Sequence, residues 1–177
     1  REDKPVKINK TKKIVGLAML LCLSVTVGIL ESFVSLPIPV PGIKLGLANF
    51  INLFVLYYYD LKSYFTVGFL RVVLSALLFG GFGIGFVFSL CGWTLSAAAV
   101  SLAFLSEKFS VYGLSTLGAA LHQTGQISAA ILIYRQIGFL YYLPILLSVS
   151  TVTGGTIAFL TVCIIRPLNK SIKKQQI

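Results

Sequence analysis

Six long apolar stretches, separated by short charged, proline-rich or glycine-rich breaks, constrain this chain more than anything else in it. They run over about Ile14–Val34, Leu45–Tyr59, Ser63–Phe79, Phe86–Leu105, Val111–Tyr134 and Leu140–Ile165. About 20 apolar residues carry a helix across a bilayer, and in hydrocarbon a helix satisfies its own backbone hydrogen bonds. Composition agrees: hydrophobic residues make up 56% and charged residues 11% of the 177 residues, against about 45–50% and about 25% in soluble domains. The expectation is an all-α integral membrane protein with six transmembrane helices. It forms one domain over residues 14–165, flanked by basic tails at 1–13 and 166–177. The second stretch is short for a full crossing.

The net charge of +10 is concentrated at the ends. Six of the 15 Lys and Arg lie in the first 13 residues and four lie after Ile165. No aromatic-interleaved basic patch, zinc spacing or phosphate-cradling loop accompanies them, so nucleic acid is not the expected partner; anionic lipid headgroups are. With six crossings, twelve of the basic residues fall on the side of the termini, two (Lys44 and Arg135) on the other, and Arg71 within the membrane. The positive-inside rule then places both termini in the cytoplasm. The first apolar stretch exceeds the 7–15 residues of a signal-peptide core, so an uncleaved first helix is expected.

Polar residues at membrane depth are few and therefore informative. On the fifth helix, Ser115, Gly118, His122, Gly125, Gln126 and Ala129 share one face, because residues three and four apart are neighbours. Such a stripe is costly against lipid and belongs toward a protein interior or a cavity. With Glu31, Lys44, Asn49, Asn52 and Arg71, His122 and Gln126 form a candidate substrate-binding set in the outer half of the bundle. Six of the seven have a simpler reading. Glu31 and Arg71 suit a structural ion pair, Asn49 and Asn52 suit interhelical hydrogen bonds, His122 suits packing, and Lys44 suits a loop cation near headgroups. The positive balance of the set hints at a carboxylate- or phosphate-bearing ligand. Cys22, Cys91 and Cys163 are odd in number and sit singly in apolar runs, which predicts free thiols used as small packing residues. Ala18–Cys22 and Ser24–Gly28 are small-residue pairs that permit close helix contact.

Catalysis finds no support in the residues. Glu2, Asp3, Glu31, Asp60 and Glu107 are the only acids, and no aspartate pair is available to hold magnesium on a diphosphate. No nucleophile–base pair, metal-ligand cluster or Walker-type loop is present, so neither metal nor cofactor is expected, and any ATP hydrolysis falls to another chain.

The segments PIPVPGIKLGLANFINLF (Pro37 to Phe54), LRVVLSALLFG (Leu70 to Gly80) and LGAALHQTGQ (Leu117 to Gln126) resemble the bacterial Gx transporter family, also labelled heptaprenyl diphosphate synthase component I. The resemblance covers roughly Lys13 to Ile165. It implies a six-helix bundle of the bacterial cell membrane, similar to the substrate-binding S components of energy-coupling factor transporters. Those capture a micronutrient near the outer face and work with a transmembrane scaffold and two ATPase subunits. The resemblance further implies that the proline-rich loop Leu36–Gly42 acts as a lid. It also implies that Ala18 and Cys22 face the scaffold, with Cys22 departing from the alanine usual in S components. An alternative is a non-catalytic anchor for an isoprenoid-, quinone- or flavin-linked synthesis or electron-transfer complex.

Overall fold

The structure, a computed structural model, describes residues 9–32 and 48–168. Among the described residues it is all-helical, without strands: α1 Lys10–Ser32, α2 Asn49–Tyr58, α3 Leu61–Ser75, α4 Ile84–Leu105, α5 Val111–Tyr134 and α6 Leu143–Leu168. A π-helical turn, Ala76–Gly80, prolongs α3, and a 3₁₀ turn, Ile137–Tyr142, leads into α6.

Helix ends follow local chemistry. The Asp60 carboxylate accepts from the Ser63 amide at 2.7 Å, which starts α3 at Leu61, ahead of the expected Ser63. Ser110 caps α5 in the same way, accepting from Gly113 at 3.2 Å, and Arg135 ends that helix with φ 51°. The glycine-rich break is shorter than expected, because Ile84 and Gly85 already belong to α4. Pro144 is the second residue of α6, where a missing amide proton costs nothing.

Four segments are long and apolar enough to cross a membrane among the described residues: Lys10–Glu31, Leu61–Phe79, Ile84–Leu105 and Ile137–Arg166. The expected count of six is thus met in part. α2 has 10 residues, about 15 Å of rise, half of a hydrocarbon core. α5 is long enough, at 24 residues, but its polar stripe dilutes its hydropathy. Met19, Leu102, Leu132 and Val152 are 70–78% exposed, an outer surface that suits hydrocarbon and not water.

The helices close into a bundle in which α5 packs between α4 and α6, while α3 meets α4 and α2 meets α6. One core cluster gathers Leu53, Leu56, Tyr64, Ala97, Val100, Leu114 and Ile157; a second holds Phe88, Ile127, Ala130 and Leu146. Lys13 forms an ion pair with Asp60 and lies 6.0 Å from the Tyr59 ring centroid. The start of α1 and the α2–α3 turn therefore share one end of the bundle.

Small residues set the closest crossings. A Cβ on Gly125 would stand 2.7 Å from the Cys91 carbonyl oxygen and 2.8 Å from Gly92 Cα, so α4 and α5 touch backbone to backbone. A Cβ on Gly154 would stand 2.9 Å from Thr116 Cα, which brings α6 equally near. The three cysteines are free but exposed. This corrects the expectation that they fill the interior: each lies on the outward face of its helix.

Candidate functional site

α1, α2 and α3 bring three of the expected polar residues into one neighbourhood. Arg71, on α3, is buried and donates through Nη2 to Asn49 Oδ1 at 3.2 Å. Glu31, near the end of α1, is also buried, and its carboxylate acts electrostatically on Arg71. The pairing of Glu31 with Arg71 read from the sequence thus has an electrostatic contact behind it. Asn52 lies one turn along α2 from Asn49 and is 3% exposed.

Asn49 and Asn52 line a small cavity with Leu53, Tyr64, Ser96, Val100, Leu114, Ser115, Gly118, Ala119 and Ile157, from five helices. Its volume is about 20 Å³, room for about one water. Two of its hydroxyls are already committed: Ser96 donates to Gly118 O at 2.8 Å, and Ser115 donates to Gly154 O at 2.7 Å. Other groups are not committed. Asn49 Nδ2, Asn52 Oδ1, Arg71 Nε and Trp93 Nε1 are buried with no hydrogen-bond partner among the described residues. Orphaned polar atoms are rare in folded interiors because each carries an unrecovered desolvation cost. Two of the four belong to the cavity-lining Asn49 and Asn52, and Arg71 adjoins them through its bond to Asn49.

His122 and Gln126 sit elsewhere. Their side chains approach each other at 3.1 Å between His122 Nε2 and Gln126 Nε2. A Cβ on Gly92 would stand 3.1 Å from His122 Cε1 and 3.0 Å from Gln126 Cγ, so both pack on α4. Neither lines the cavity. Lys44 and the proline-rich loop lie outside the described residues. Ala18 and Cys22 are exposed on α1, while Ser24 and Gly28 turn inward toward Ala48. Among the described residues, no three His, Cys, Asp or Glu side chains come together as a metal site.

Sequence reasoning misses Tyr64, Ser96 and Trp93. Ser96 carries a faint signal, as the first residue of the small patch Ser96–Ala99. Trp93 carries none, because its inward turn depends on Gly68 across the α3–α4 contact.

Comparison with known proteins adds one finding. The family described as heptaprenyl diphosphate synthase component I matches residues 20–164. The chain belongs to this family. No curated protein and no solved structure matches it. The match begins within α1 and ends within α6, so family membership takes in the whole polar interior. The family description speaks of one component of a synthase, which implies a partner subunit.

Proposed function

We propose that the chain is a membrane-embedded substrate-binding subunit that captures a small vitamin-like or anionic metabolite and works with partner subunits that supply energy. The observation that carries this reading is the Arg71–Asn49–Asn52 group, with Arg71 and Asn52 buried, and its uncommitted polar atoms. A buried guanidinium held beside open donors is costly to maintain, and ligand binding is a reason to maintain it. In this reading all six helices lie in a bacterial cell membrane. α5 crosses because its stripe is covered by α4 and α6, and α2 completes its crossing with help from its neighbours. The end that holds Lys13, Lys62, Lys108 and Arg166 faces the cytoplasm. A transmembrane scaffold with two ATPases docks on α1 through Ala18 and Cys22.

The family description favours a second reading, in which the chain anchors a prenyl diphosphate synthase or a related complex at the membrane. Mass spectrometry of the purified protein separates the two. A retained small molecule that disappears in Arg71→Ala, together with ATPases, supports capture. A prenyl-transferring enzyme with no such molecule supports anchoring. Equal small-molecule content in wild type and Arg71→Ala sinks the site assignment.

A further inference from the structure

We propose that the turns at the end of the bundle opposite Lys13 form an apolar foot that lies in the lipid interface of that leaflet, with phospholipid as its partner. The inference rests on the chain being embedded in a membrane and holds for either reading of its function. Two turns build the foot: the π-helical Ala76–Gly80 with the residues that lead into α4, and the 3₁₀ segment Ile137–Tyr142. Aromatic contacts place both at one end. Phe88, near the start of α4, meets Tyr134 at 6.4 Å between ring centroids, and Tyr134 meets Phe139 at 5.6 Å. The other end of α4 meets α2 through Phe104 and Tyr57 at 5.8 Å, beside the turn that holds the Lys13–Asp60 pair.

The 3₁₀ segment is apolar on both edges. Residues three apart eclipse in such a helix, so Phe139 and Tyr142 share one edge and Ile137 and Leu140 the other. The first pair packs on the cluster of Phe88, Ile127 and Leu146. The second pair is exposed, as is Tyr141 at 86%, and Phe79 and Phe82 in the neighbouring turn are 65% and 61% exposed. This surface continues the exposed apolar side chains of α5 at Leu132 and of α6 at Ile145. Turns at the Lys13 end differ in kind: they carry Asp60 with Lys62 and Glu107 with Lys108. No charged residue lies between Arg71 and Glu107, or between Arg135 and Arg166. Depth follows from length. α4 has 22 residues, a rise of about 33 Å against a hydrocarbon core of about 30 Å. With Lys108 among the headgroups of one leaflet, the foot reaches the boundary of the other. Arg135, the one exposed charge of the described residues at this end, keeps the foot from sinking into hydrocarbon. Tyr141 suits that level, because its ring is apolar and its hydroxyl polar.

Trp93 is the only tryptophan in the chain, so Trp93→Phe gives a silent background in which one added tryptophan reports its depth. The full chain in lipid nanodiscs carries either Tyr141→Trp at the foot or Val152→Trp on the exposed face of α6. Emission from Tyr141→Trp should be lost more to phospholipid brominated near the glycerol end of its acyl chains than to phospholipid brominated near the chain ends. Val152→Trp should show the opposite order. A reporter at 141 that is quenched by iodide in the water and by neither brominated lipid overturns the foot. A reporter insensitive to iodide and to both lipids means that protein covers the surface, whether a second copy, a partner or another part of this chain, and overturns phospholipid as the occupant. A second measurement leaves Trp93 in place. Ile137→Asp and Tyr141→Asp alter side chains that touch little of the protein, so only their surroundings can penalise the charge. Both should lower the melting temperature in nanodiscs, and melting like wild type in both overturns the proposal. Such failures leave the capture reading standing, because that depends on the molecule retained in wild type and lost in Arg71→Ala.

Discussion

Arg71 Nη2 meets Asn49 Oδ1 at 3.2 Å inside the bundle, with the Glu31 carboxylate acting on the same guanidinium. Removing one member of a buried charged pair leaves the other uncompensated, at a cost of about 3–5 kcal/mol, while removing both can be nearly neutral. Arg71→Met should therefore lower the melting temperature in nanodiscs sharply, and Glu31→Gln/Arg71→Met should recover most of the loss. A double variant as unstable as the single one would show that Glu31 does not compensate Arg71.

The α4–α5 crossing yields a contrast between two glycines. A Cβ on Gly125 would lie 2.7 Å from a backbone oxygen, and backbone cannot swing aside as a flexible side chain can. Gly125→Ala should cost about 1–3 kcal/mol through overpacking. Gly155, next to the tightly packed Gly154 on α6, has nothing within 4 Å of its missing Cβ. Gly155→Ala should be neutral or slightly stabilising, since alanine is the better helix former. Thermal melting of the two variants side by side checks this. Equal destabilisation would mean the crossing is looser than its backbone contacts indicate.

The Asp60 carboxyl lies outside the membrane-spanning segments and invites a pH experiment. Burial alone would raise its pKa, but hydrogen bonds from Lys13 and Ser63 outweigh burial and hold it below the usual carboxylate range. A group whose pKa is depressed by folding stabilises the fold above its unfolded value, about 3.9 for Asp. That contribution is lost as pH falls through the lower folded value. Asp60 is 42% exposed and Lys13 35%, so the effect is small, under about 1 kcal/mol. Asp60→Asn keeps an acceptor for the Ser63 amide and removes the charge. Its melting temperature should fall less than that of wild type between about pH 6 and pH 3. Parallel pH profiles would rule out a stabilising role for the Lys13–Asp60 pair.

What the sequence makes legible depends on whether a residue's partners lie near it in the chain. α5 can be read to both ends, because Ser110 caps its start and its apolar periodicity runs unbroken to Tyr134. The buried status of Ser115, Gly118, His122 and Gln126 follows from the same periodicity. Their division does not. Ser115 and Gly118 border the cavity while His122 and Gln126 pack on α4, because Gly92 happens to lie opposite the latter pair. Trp93 is illegible for the same reason, since a lone tryptophan in an apolar helix carries no sign of the Gly68 that lets its indole turn inward. The exposed cysteines show the limit from the other side. Their apolar neighbours are compatible with either face of a helix, and in a membrane the outer face is as apolar as the core.

The two small-residue pairs of α1 point in different directions, and that separates folding from assembly. Ser24 and Gly28 face Ala48 inside the bundle, whereas Ala18 and Cys22 are exposed. A bulky residue on the exposed pair should leave the isolated subunit intact and obstruct a helix that docks closely there. Ala18→Trp and Cys22→Trp are expected to melt within a few degrees of wild type, yet to recover less than about a tenth of the partner protein in affinity purification from native membranes, a loss of about 1.4 kcal/mol or more. Gly28→Trp, by contrast, should fail at folding itself, because its space is bounded by Ala48 and Ser75 at 3.9 Å. Undiminished partner recovery in both outward variants would move the docking surface off this face of α1. Lost stability in them would mean that the face is part of the fold rather than an interface.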